Sequence, residues 1–372
     1  MNKYFNRILT AVFCLFLGGM CLVSTILPDK DFSPLENRYL QELPQFSFSE
    51  MHSGSFIADM ESYTADHIAG RDLWVAMKAW CERLSGKREN NGIYFTGGTL
   101  ISHVDTPTAE QMDKNGGFVN TLADNVDVPV YFGIIPSAAG IWADHLPEGA
   151  PTADENAIIE SMYANSDALT VDLWSTLQAH ADQQIYYRTD HHWTSLGAYY
   201  GYVALMEAMG MEPVSLSDYE KTVVADDFYG TSFSTSGVRW LPADTMETYI
   251  PADGVTVTAY PDGKPVPGSL YVDSFLGEKD KYSYFLGGNK PLCVMETKHT
   301  DAPKVLVIRD SYSDSLAPFL TESFSEVHLF DLHYNMTSVA DYVEQNDIDQ
   351  VVVLYSIDNF FDAGSNLFLL GR

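Results

Sequence analysis

"KVLVIRDSYSDSLAPFL", residues 304–320, is the stretch from which the fold of this chain can be inferred. Its first six residues form a near-continuous apolar run, which is typical of a β-strand that is buried on both faces of a sheet. Asp310 and Ser311 follow, and a helix is expected to begin near Ser315. Because open α/β folds bind ligands at the carboxyl ends of their parallel strands, the turn that carries Ser311 is a candidate site.

The same alternation of strand and helix extends over most of the chain. Apolar runs predict strands, and longer stretches with helical spacing of apolar residues separate them. The predicted strands are 128–136, 183–188, 304–309, 326–331 and 350–356, and the predicted helices are about 108–125, 155–165, 194–209, 315–324 and 337–346. This order predicts an α/β fold with a mostly parallel sheet and flanking helices. Residues 214–300, rich in Gly, Pro, Tyr and Asp, interrupt it and are predicted to form a β-rich insertion.

The N-terminus carries a candidate membrane segment. Residues 8–28 are uncharged and long enough to cross a bilayer as a helix. Lys3 and Arg7 precede this run, which predicts that the N-terminus stays in the cytoplasm and the rest is exported. The length of the run favours an anchor over a cleaved signal peptide, whose removal would leave a secreted protein. The predicted division is 1–30 as anchor or signal, 31–90 as an extended arm with helices, and 91–372 as the α/β domain with its insertion.

Composition narrows the range of partners. The 372 residues contain 21 Lys and Arg against 51 Asp and Glu, a net charge of -30, which excludes nucleic acid as a favoured partner. Of the four cysteines, Cys14 and Cys21 lie in the apolar segment. Cys81 and Cys293 can form one disulfide in an oxidising compartment or remain two free thiols, and their spacing does not decide between these states.

A second motif, "TDHHW" at residues 189–193, combines an acid with two histidines. If the segment is extended, Asp190 and His192 project to the same side, where the carboxylate can orient the imidazole, and His191 points the other way. At a turn the acid and the histidine can instead face each other. Trp193 is then expected to form a wall of the site.

Three interpretations fit these residues. A serine at a strand-to-helix turn is a nucleophile if a base reaches it, and the helix N-terminus helps to stabilise an oxyanion. Alone, such a serine is more often a helix cap, which applies equally to Ser311, Ser313 and Ser315. The Asp-His-His cluster can also bind a divalent metal, although a two-metal phosphoesterase would need further ligand motifs. A structural histidine pair is the third interpretation.

Several segments in order carry a resemblance to a known family. They are "LENRYL", "GRDLWVAMK", "NNGIYF", "IIPSAAGIWADHLP", "IYYRTDHHWTSLGAYY", "RDSYSDSLAPFL" and "VVVLYSIDNF". With them the chain resembles the DHHW family of bacterial proteins, which is similar to the SGNH-hydrolase-like alginate O-acetyltransferase proteins of the periplasm. The resemblance implies an SGNH-hydrolase-like, flavodoxin-like sheet.

By position, the resemblance implies that Asp190 orients the base His192 and that Ser311 is the nucleophile. The residues expected to support them are Asp310, His191, Trp193, Tyr312 and Arg309. Arg309 is a departure, since the serine motif often opens with Gly-Asp-Ser. The second oxyanion donor is therefore open, with Asn359 and the backbone near Ser137 as candidates.

The predicted function is that of an exported serine enzyme that moves or hydrolyses an acyl group, most simply acetyl, on a cell-surface or extracellular polysaccharide, with no cofactor. A polysaccharide or cell-wall glycan is the expected acceptor, and a membrane acyltransferase can supply the acyl donor. Residues 228–240 and the aromatic residues of 260–285 are candidates to line the sugar groove. Two alternatives stay open: a non-catalytic carbohydrate-binding or scaffold protein, and a metal-dependent phosphoesterase.

Overall fold

The computed structural model describes residues 3–251 and 253–372. Met1 and Asn2 of the predicted anchor and Ala252 of the predicted insertion lie outside the described residues. The chain divides into two compact units. The helical unit comprises Met1–Asn90 with Phe233–Trp240, and the sheet unit comprises Asn91–Ser232 with Leu241–Arg372.

Within the described residues 3–90, the helical unit contains four helices and a small hairpin. Its helices are α1 (Lys3–Ile26), α2 (Phe48–Ser53), α3 (Ser55–Asp66) and α4 (Arg71–Leu84), and its strands are β1 (Phe32–Ser33), β2 (Arg38–Tyr39) and β3 (Glu89–Asn90). α1 is apolar and long enough to cross a membrane, and none of its residues is buried in the structure. It is therefore a candidate membrane anchor.

The sheet unit is built on one eight-stranded sheet. Its remaining strands are β4 (Ile93–Thr96), β5 (Thr99–Ser102), β6 (Val130–Ile135), β7 (Leu169–Thr170), β8 (Thr222–Phe228), β9 (Asp244–Thr248), β10 (Thr256–Ala259), β11 (Val266–Pro267), β12 (Leu292–Glu296), β13 (Lys304–Arg309), β14 (Glu326–Phe330) and β15 (Gln350–Ser356). The order in the large sheet is β11-β10-β12-β14-β13-β15-β6-β7. The five strands from β14 to β7 are parallel, whereas β12, β10 and β11 pair antiparallel.

Helices cover both faces of this sheet. They are α5 (Ala109–Asn125), α6 (Ala138–Ile141), α7 (Glu155–Ala164), α8 (Leu173–Gln178), α9 (Ser195–Ala208), α11 (Ser313–Leu320), α12 (Val339–Gln345) and α13 (Ile357–Phe361). The short α10 (Thr231–Ser236) begins in the sheet unit and ends in the helical unit. Val305 and Val307 of β13 pack in the core on the side of α9 and α11, and Leu306 and Ile308 pack in the core on the side of α5 and α12. Both faces of β13 are thus buried, which explains its near-continuous apolar sequence.

The prediction of an α/β fold with a mostly parallel sheet is confirmed. The predicted strands at 128–136, 304–309, 326–331 and 350–356 correspond to β6, β13, β14 and β15. The strand predicted at 183–188 is wrong. That segment folds back on the residues that follow it, through an isolated bridge between Tyr186 and Trp193 and a hydrogen bond from the Thr194 N–H to the Ile185 carbonyl at 2.9 Å.

Part of the segment 214–300 belongs to the large sheet and does not form a separate insertion. β8 and β9 form a two-stranded sheet of their own, but β10, β11 and β12 extend the large sheet antiparallel. Their place follows from β12, which pairs with β14 over its whole length. This region also contains the buried Cys293, which is a free thiol, as are Cys14, Cys21 and Cys81, so that no disulfide joins Cys81 to Cys293.

Candidate active site

Ser311 lies in the short turn between β13 and α11. β13 ends at the fully buried Arg309, and α11 begins at Ser313 with Tyr312 as its N-cap residue and no capping hydrogen bond from that side chain. Ser313 is fully buried, whereas Ser311 is only half-buried. Ser311 is therefore not the helix cap, and its hydroxyl is free to bond with His192.

Asp190, His192 and Ser311 form one continuous chain of hydrogen bonds. Nδ1 of His192 lies 2.6 Å from Oδ1 of Asp190, which also accepts the backbone N–H of His192 at 3.0 Å. Nε2 of His192 lies 2.8 Å from Oγ of Ser311. Since Nδ1 donates its hydrogen to the carboxylate, Nε2 holds the lone pair that can accept the serine proton.

A second set of donors holds the carboxylate of Asp190. Thr231 donates its N–H to Oδ2 at 2.7 Å and its hydroxyl at 3.0 Å. Burial alone would raise the pKa of Asp190, but the charges of His192 and His191 and the hydrogen bonds of His192 and Thr231 outweigh it, and the pKa lies well below its ordinary value. Asp190 is therefore an anion, the state that stabilises a protonated histidine.

His191 lies beside His192 and does not point away from it, as extended geometry would require. The two ring centroids are 3.9 Å apart, and Nδ1 of His191 lies 2.6 Å from Oγ1 of Thr231. The reason is that residues 188–192 form bends, not a strand. Desolvation by the surrounding protein and then the charge of His192 lower the pKa of His191, although 38% of its side chain remains exposed to solvent and limits this effect.

The ring of Tyr282 stacks on the imidazole of His192. The centroids are 3.8 Å apart and the ring planes differ by 9°. The Tyr282 hydroxyl donates to the carbonyl of Ser311 at 3.1 Å and lies 3.1 Å from Oγ of Ser315. One side chain thus fixes both the plane of the base and the backbone of the serine turn.

Trp193 joins the two motifs from within the core and does not wall the site. It is fully buried, and its Nε1–H bonds to the Tyr312 carbonyl at 2.9 Å and to Oγ of Ser315 at 3.0 Å. In return, the hydroxyl of Tyr312 donates to the carbonyl of His191. These contacts fix the distance between the serine turn and the histidine segment.

Asp310 ties the end of β13 to the end of β15. Its Oδ2 accepts the N–H of Ser356 at 2.8 Å, the hydroxyl of Ser356 at 2.6 Å and an amide hydrogen of Asn359 at 2.8 Å. Its Oδ1 accepts the N–H of Tyr312 at 3.1 Å. Asp310 therefore shapes the turn before the nucleophile, and Asn359, an oxyanion candidate, already gives one amide hydrogen to it.

Arg309 and Ser137 are engaged elsewhere. The guanidinium of Arg309 donates to Oδ1 of Asn289 at 2.7 Å and lies 3.0 Å from a carboxylate oxygen of Asp314. Both the N–H and the hydroxyl of Ser137 donate to the buried carboxylate of Glu155, at 2.8 and 2.6 Å. The N–H of Ser137 is thus committed to Glu155, which weakens its candidacy as an oxyanion donor.

Asp190, His191 and His192 also offer metal-ligand atoms within 4.8 Å of one another. One oxygen and two imidazole nitrogens are donors that divalent transition metals accept. However, Nδ1 of His192 is already bonded to Asp190, and Nε2 is bonded to Ser311. An ion would have to break one of these bonds, so the geometry suits proton transfer better than metal binding.

Thr231 and Tyr282 lie within the ranges predicted to line the sugar groove, 228–240 and 260–285, but neither was predicted to contact Asp190 or His192. Both come from the region predicted as an insertion, far in sequence from Asp190. The signal for Thr231 was the Gly-Thr pair within 228–240, since a Cβ on Gly230 would lie 2.1 Å from Oδ2 of Asp190. Only a glycine lets the chain pass so close to the carboxylate. Tyr282 had no comparable signal, because a tyrosine stacked on a histidine has no fixed sequence spacing.

Comparison with known proteins places this geometry in context. A DHHW family protein from Eubacterium siraeum is 25% identical, with a TM-score of 0.66 over 75% of this chain and 95% of that protein. PatB1 from Bacillus cereus, solved with a sulfonyl adduct, is 22% identical, with a TM-score of 0.59 over 74% of this chain and 98% of PatB1. A weaker similarity, at 17% identity and a TM-score of 0.47, covers 75% of this chain and 98% of the O-acetyltransferase domain of AlgJ from Pseudomonas putida. No curated protein matches significantly.

The family model described as "DHHW protein" matches residues 108–330. This stretch is more than half of the chain and contains Asp190, His192 and Ser311. The chain therefore belongs to the DHHW protein family.

Proposed function

We propose that this protein is an exported serine O-acyltransferase or esterase that acts on a cell-surface or extracellular polysaccharide. The observation that carries the proposal is the unbroken hydrogen-bond chain from Ser311 through His192 to Asp190. The sheet unit would then be an SGNH-hydrolase-like, flavodoxin-like domain in which the serine follows a strand of a parallel sheet. Similarity to PatB1 and AlgJ agrees with this proposal but does not carry it.

The geometry suits a two-step acyl transfer. Oγ of Ser311 attacks the carbonyl carbon of an ester while its proton moves to Nε2 of His192. The tetrahedral intermediate collapses, the alcohol leaves with the proton from His192, and an ester remains on Ser311. An acceptor hydroxyl then gives its proton to His192 and attacks the ester, and His192 passes this proton to Oγ of Ser311, which leaves as the acyl group moves to the acceptor. Asp190 stabilises the protonated His192 in both steps.

Water or a sugar hydroxyl can complete the second step, and we propose that the sugar does so. The site is bordered by two residues of the region 214–300, Thr231 on Asp190 and Tyr282 on His192. This region would form the acceptor groove and keep water from the acyl ester. We further propose that α1 anchors the chain with the sheet unit outside the cytoplasmic membrane, that 31–90 joins the two, and that a membrane acyltransferase supplies the acyl group.

The test is to trap the acyl-enzyme. Full-length protein is incubated with an isotope-labelled activated acetyl ester, or with an aryl sulfonyl fluoride that reacts with activated hydroxyls, and the modified residue is located by mass spectrometry. We expect the label on Ser311 and its loss in Ser311→Ala and His192→Ala, because either change disables the same unit. Ser217→Ala, an exposed serine of the same unit, is the matched control.

The same reaction separates the alternatives. Acetylated sugar that grows at the expense of free acetate, when candidate glycans are added, supports transfer. Free acetate that no glycan diminishes indicates an esterase. A protein that binds glycans but is never acylated on Ser311 would be the scaffold alternative and would contradict the proposed chemistry.

A further inference from the structure

The two units of the chain differ sharply in charge. The helical unit carries 10 Lys and Arg against 11 Asp and Glu, whereas the sheet unit carries 11 against 40. Nearly all of the net charge of -30 therefore belongs to the sheet unit. An anionic lipid surface repels such a charge but does not repel the almost neutral helical unit.

The helical unit also exposes large apolar side chains after α1. In the part of the chain that the structure describes, the exposed ones between residues 39 and 84 are Tyr39, Leu43, Phe46, Phe48, Met51, Ile57, Ile68, Leu73, Trp74, Met77, Trp80 and Leu84. The much longer sheet unit exposes six: Leu169, Val223, Val266, Tyr334, Met336 and Phe368. An apolar surface of this density on a small unit indicates a binding surface.

α4 shows the pattern most clearly. Leu73, Met77, Trp80 and Leu84 recur at helical spacing, and Leu84 is 81% exposed. Trp80 is only half-exposed, because its ring stacks on that of Trp240 with centroids 4.2 Å apart. The buried Ala79 marks the opposite stripe, which packs inward. α4 is thus apolar on a face that the chain itself covers only in part.

This surface is continuous with the candidate membrane helix. Oγ of Ser24 accepts the N–H of Ala69 at 2.9 Å, which ties the end of α1 to the segment between α3 and α4. The rings of Phe16 and Trp74 meet edge to face, with centroids 6.3 Å apart. Phe16 precedes the end of α1 by ten residues, about 15 Å along a helix axis. The start of α4 therefore lies beside the half of α1 that is nearer to the exported chain.

A groove between α1 and α3 completes the surface. Its volume is about 710 Å³. Its lining is mixed: Leu17, Met20, Leu27, Leu43 and Ile68 form the apolar part, and Ser24, Thr25, Asp29, Tyr63, Thr64 and His67 form the polar part. Its apolar part runs along the candidate membrane-spanning helix, where lipid acyl chains are the apolar groups within reach if α1 crosses a bilayer.

We propose that α2, α3 and α4 form a membrane-interface platform that sits in the outer leaflet of the cytoplasmic membrane, with phospholipid acyl chains against the apolar face of α4 and in the groove beside α1. The half-exposed Trp80 is of the residue type that prefers the lipid–water boundary. The helical unit is then held at the membrane in two ways, by α1 across the bilayer and by the apolar surface of α2, α3 and α4 within the outer leaflet. The proposal rests on the proposed anchoring of α1, and it is independent of the chemistry of Ser311.

The experiment places an environment-sensitive fluorophore at single cysteines of the full-length protein in vesicles of phosphatidylethanolamine and phosphatidylglycerol. Cys14, Cys21 and Cys81 are first replaced by Ser, and the buried Cys293 stays. The label sits at Leu73→Cys or Leu84→Cys on α4, at Leu15→Cys on α1 as the bilayer reference, and at Ser217→Cys in the sheet unit as the solvent reference. Phospholipids that carry a spin label in the acyl chain serve as quenchers.

We expect quenching at residues 73 and 84 that approaches the value at residue 15, and little at residue 217. Quenching at residue 15 alone would overturn the platform and leave the anchor intact. No quenching at residues 15, 73 or 84 would overturn both. If the fluorophore at residue 84 were shielded from water but not quenched by the spin-labelled lipids, and if this shielding grew with the protein-to-lipid ratio, the apolar face of α4 would instead bind a second copy of the chain. Acylation of Ser311 in the same samples reports separately on the proposed function.

Discussion

At the scale of single residues, Thr231 connects the acid of the site to its second histidine. Its hydroxyl donates to Asp190 and accepts from Nδ1 of His191, so its one hydrogen and one of its lone pairs are both used. Its N–H gives Asp190 a further bond that does not depend on the side chain. Thr231 thus positions the carboxylate while it touches neither Ser311 nor His192 in these bonds.

We expect Thr231→Val to slow acylation of Ser311 by about 10- to 100-fold, because a hydrogen bond to a charged group contributes about 1.5–3 kcal/mol. Valine keeps the shape and the backbone N–H, so the fold should be retained. Thr231→Ser restores the hydroxyl and should recover most of the rate. The measurement is the pH profile of the acylation rate. If Val and Ser variants behaved alike at every pH, the hydroxyl would have no positioning role.

At the scale of secondary-structure elements, Glu155 joins the start of α7 to the end of β6. Its carboxylate is 1% exposed and accepts both hydrogens that Ser137 offers. Burial raises the pKa of Glu155 to about 7, although the bonds from Ser137 oppose this rise. Because the folded pKa exceeds the unfolded one, Glu155 stabilises the fold most when the pH is below the unfolded value, and this contribution is lost as the pH rises through about 7.

The stability of the wild type should therefore fall by about 3 kcal/mol, from this group alone, between pH 4.5 and 7.5. Glu155→Gln does not titrate and should lack this component. The check is the free energy of unfolding in urea over that pH range for both proteins. Glu160→Gln, an exposed change on the same helix, serves as control and should follow the wild type. Parallel curves for wild type and Glu155→Gln would contradict the expectation.

The helices and strands could be predicted where the spacing of apolar residues determines them, but not where contacts with distant or following residues determine them. The run 304–309 is apolar at every inner position, so its strand and the turn at Ser311 follow from sequence alone. The segment 183–188 has similar residues, but its partners are the residues after its own turn. A short motif such as Asp-x-His likewise does not reveal whether the backbone is extended or bent. For this reason the sequence left both arrangements of Asp190 and His192 open, and the orientation of His191 depended on that choice.

At the scale of the whole molecule, the apolar α1 and the basic residues before it predict that the sheet unit lies outside the cytoplasmic membrane. Protease added to intact, wall-stripped cells should digest the chain after residue 30, because the positive flank of a span stays inside. A cytoplasmic marker protein in the same cells should survive. Complete protection of the sheet unit, with digestion only after lysis, would show the opposite orientation. Immunodetection of the C-terminal half is the measurement.

The contact between His192 and Ser311 links residues that are 119 positions apart in the chain. Closing the loop between such distant segments lowers the conformational entropy of the chain, and local structure does not offset this cost. Contacts of this kind are therefore expected to form late in folding. Neither the histidine segment nor β13 carries a base and a nucleophile by itself. If the protein acts as we propose, a nascent or partly folded chain should therefore be unable to attack esters until these two segments meet.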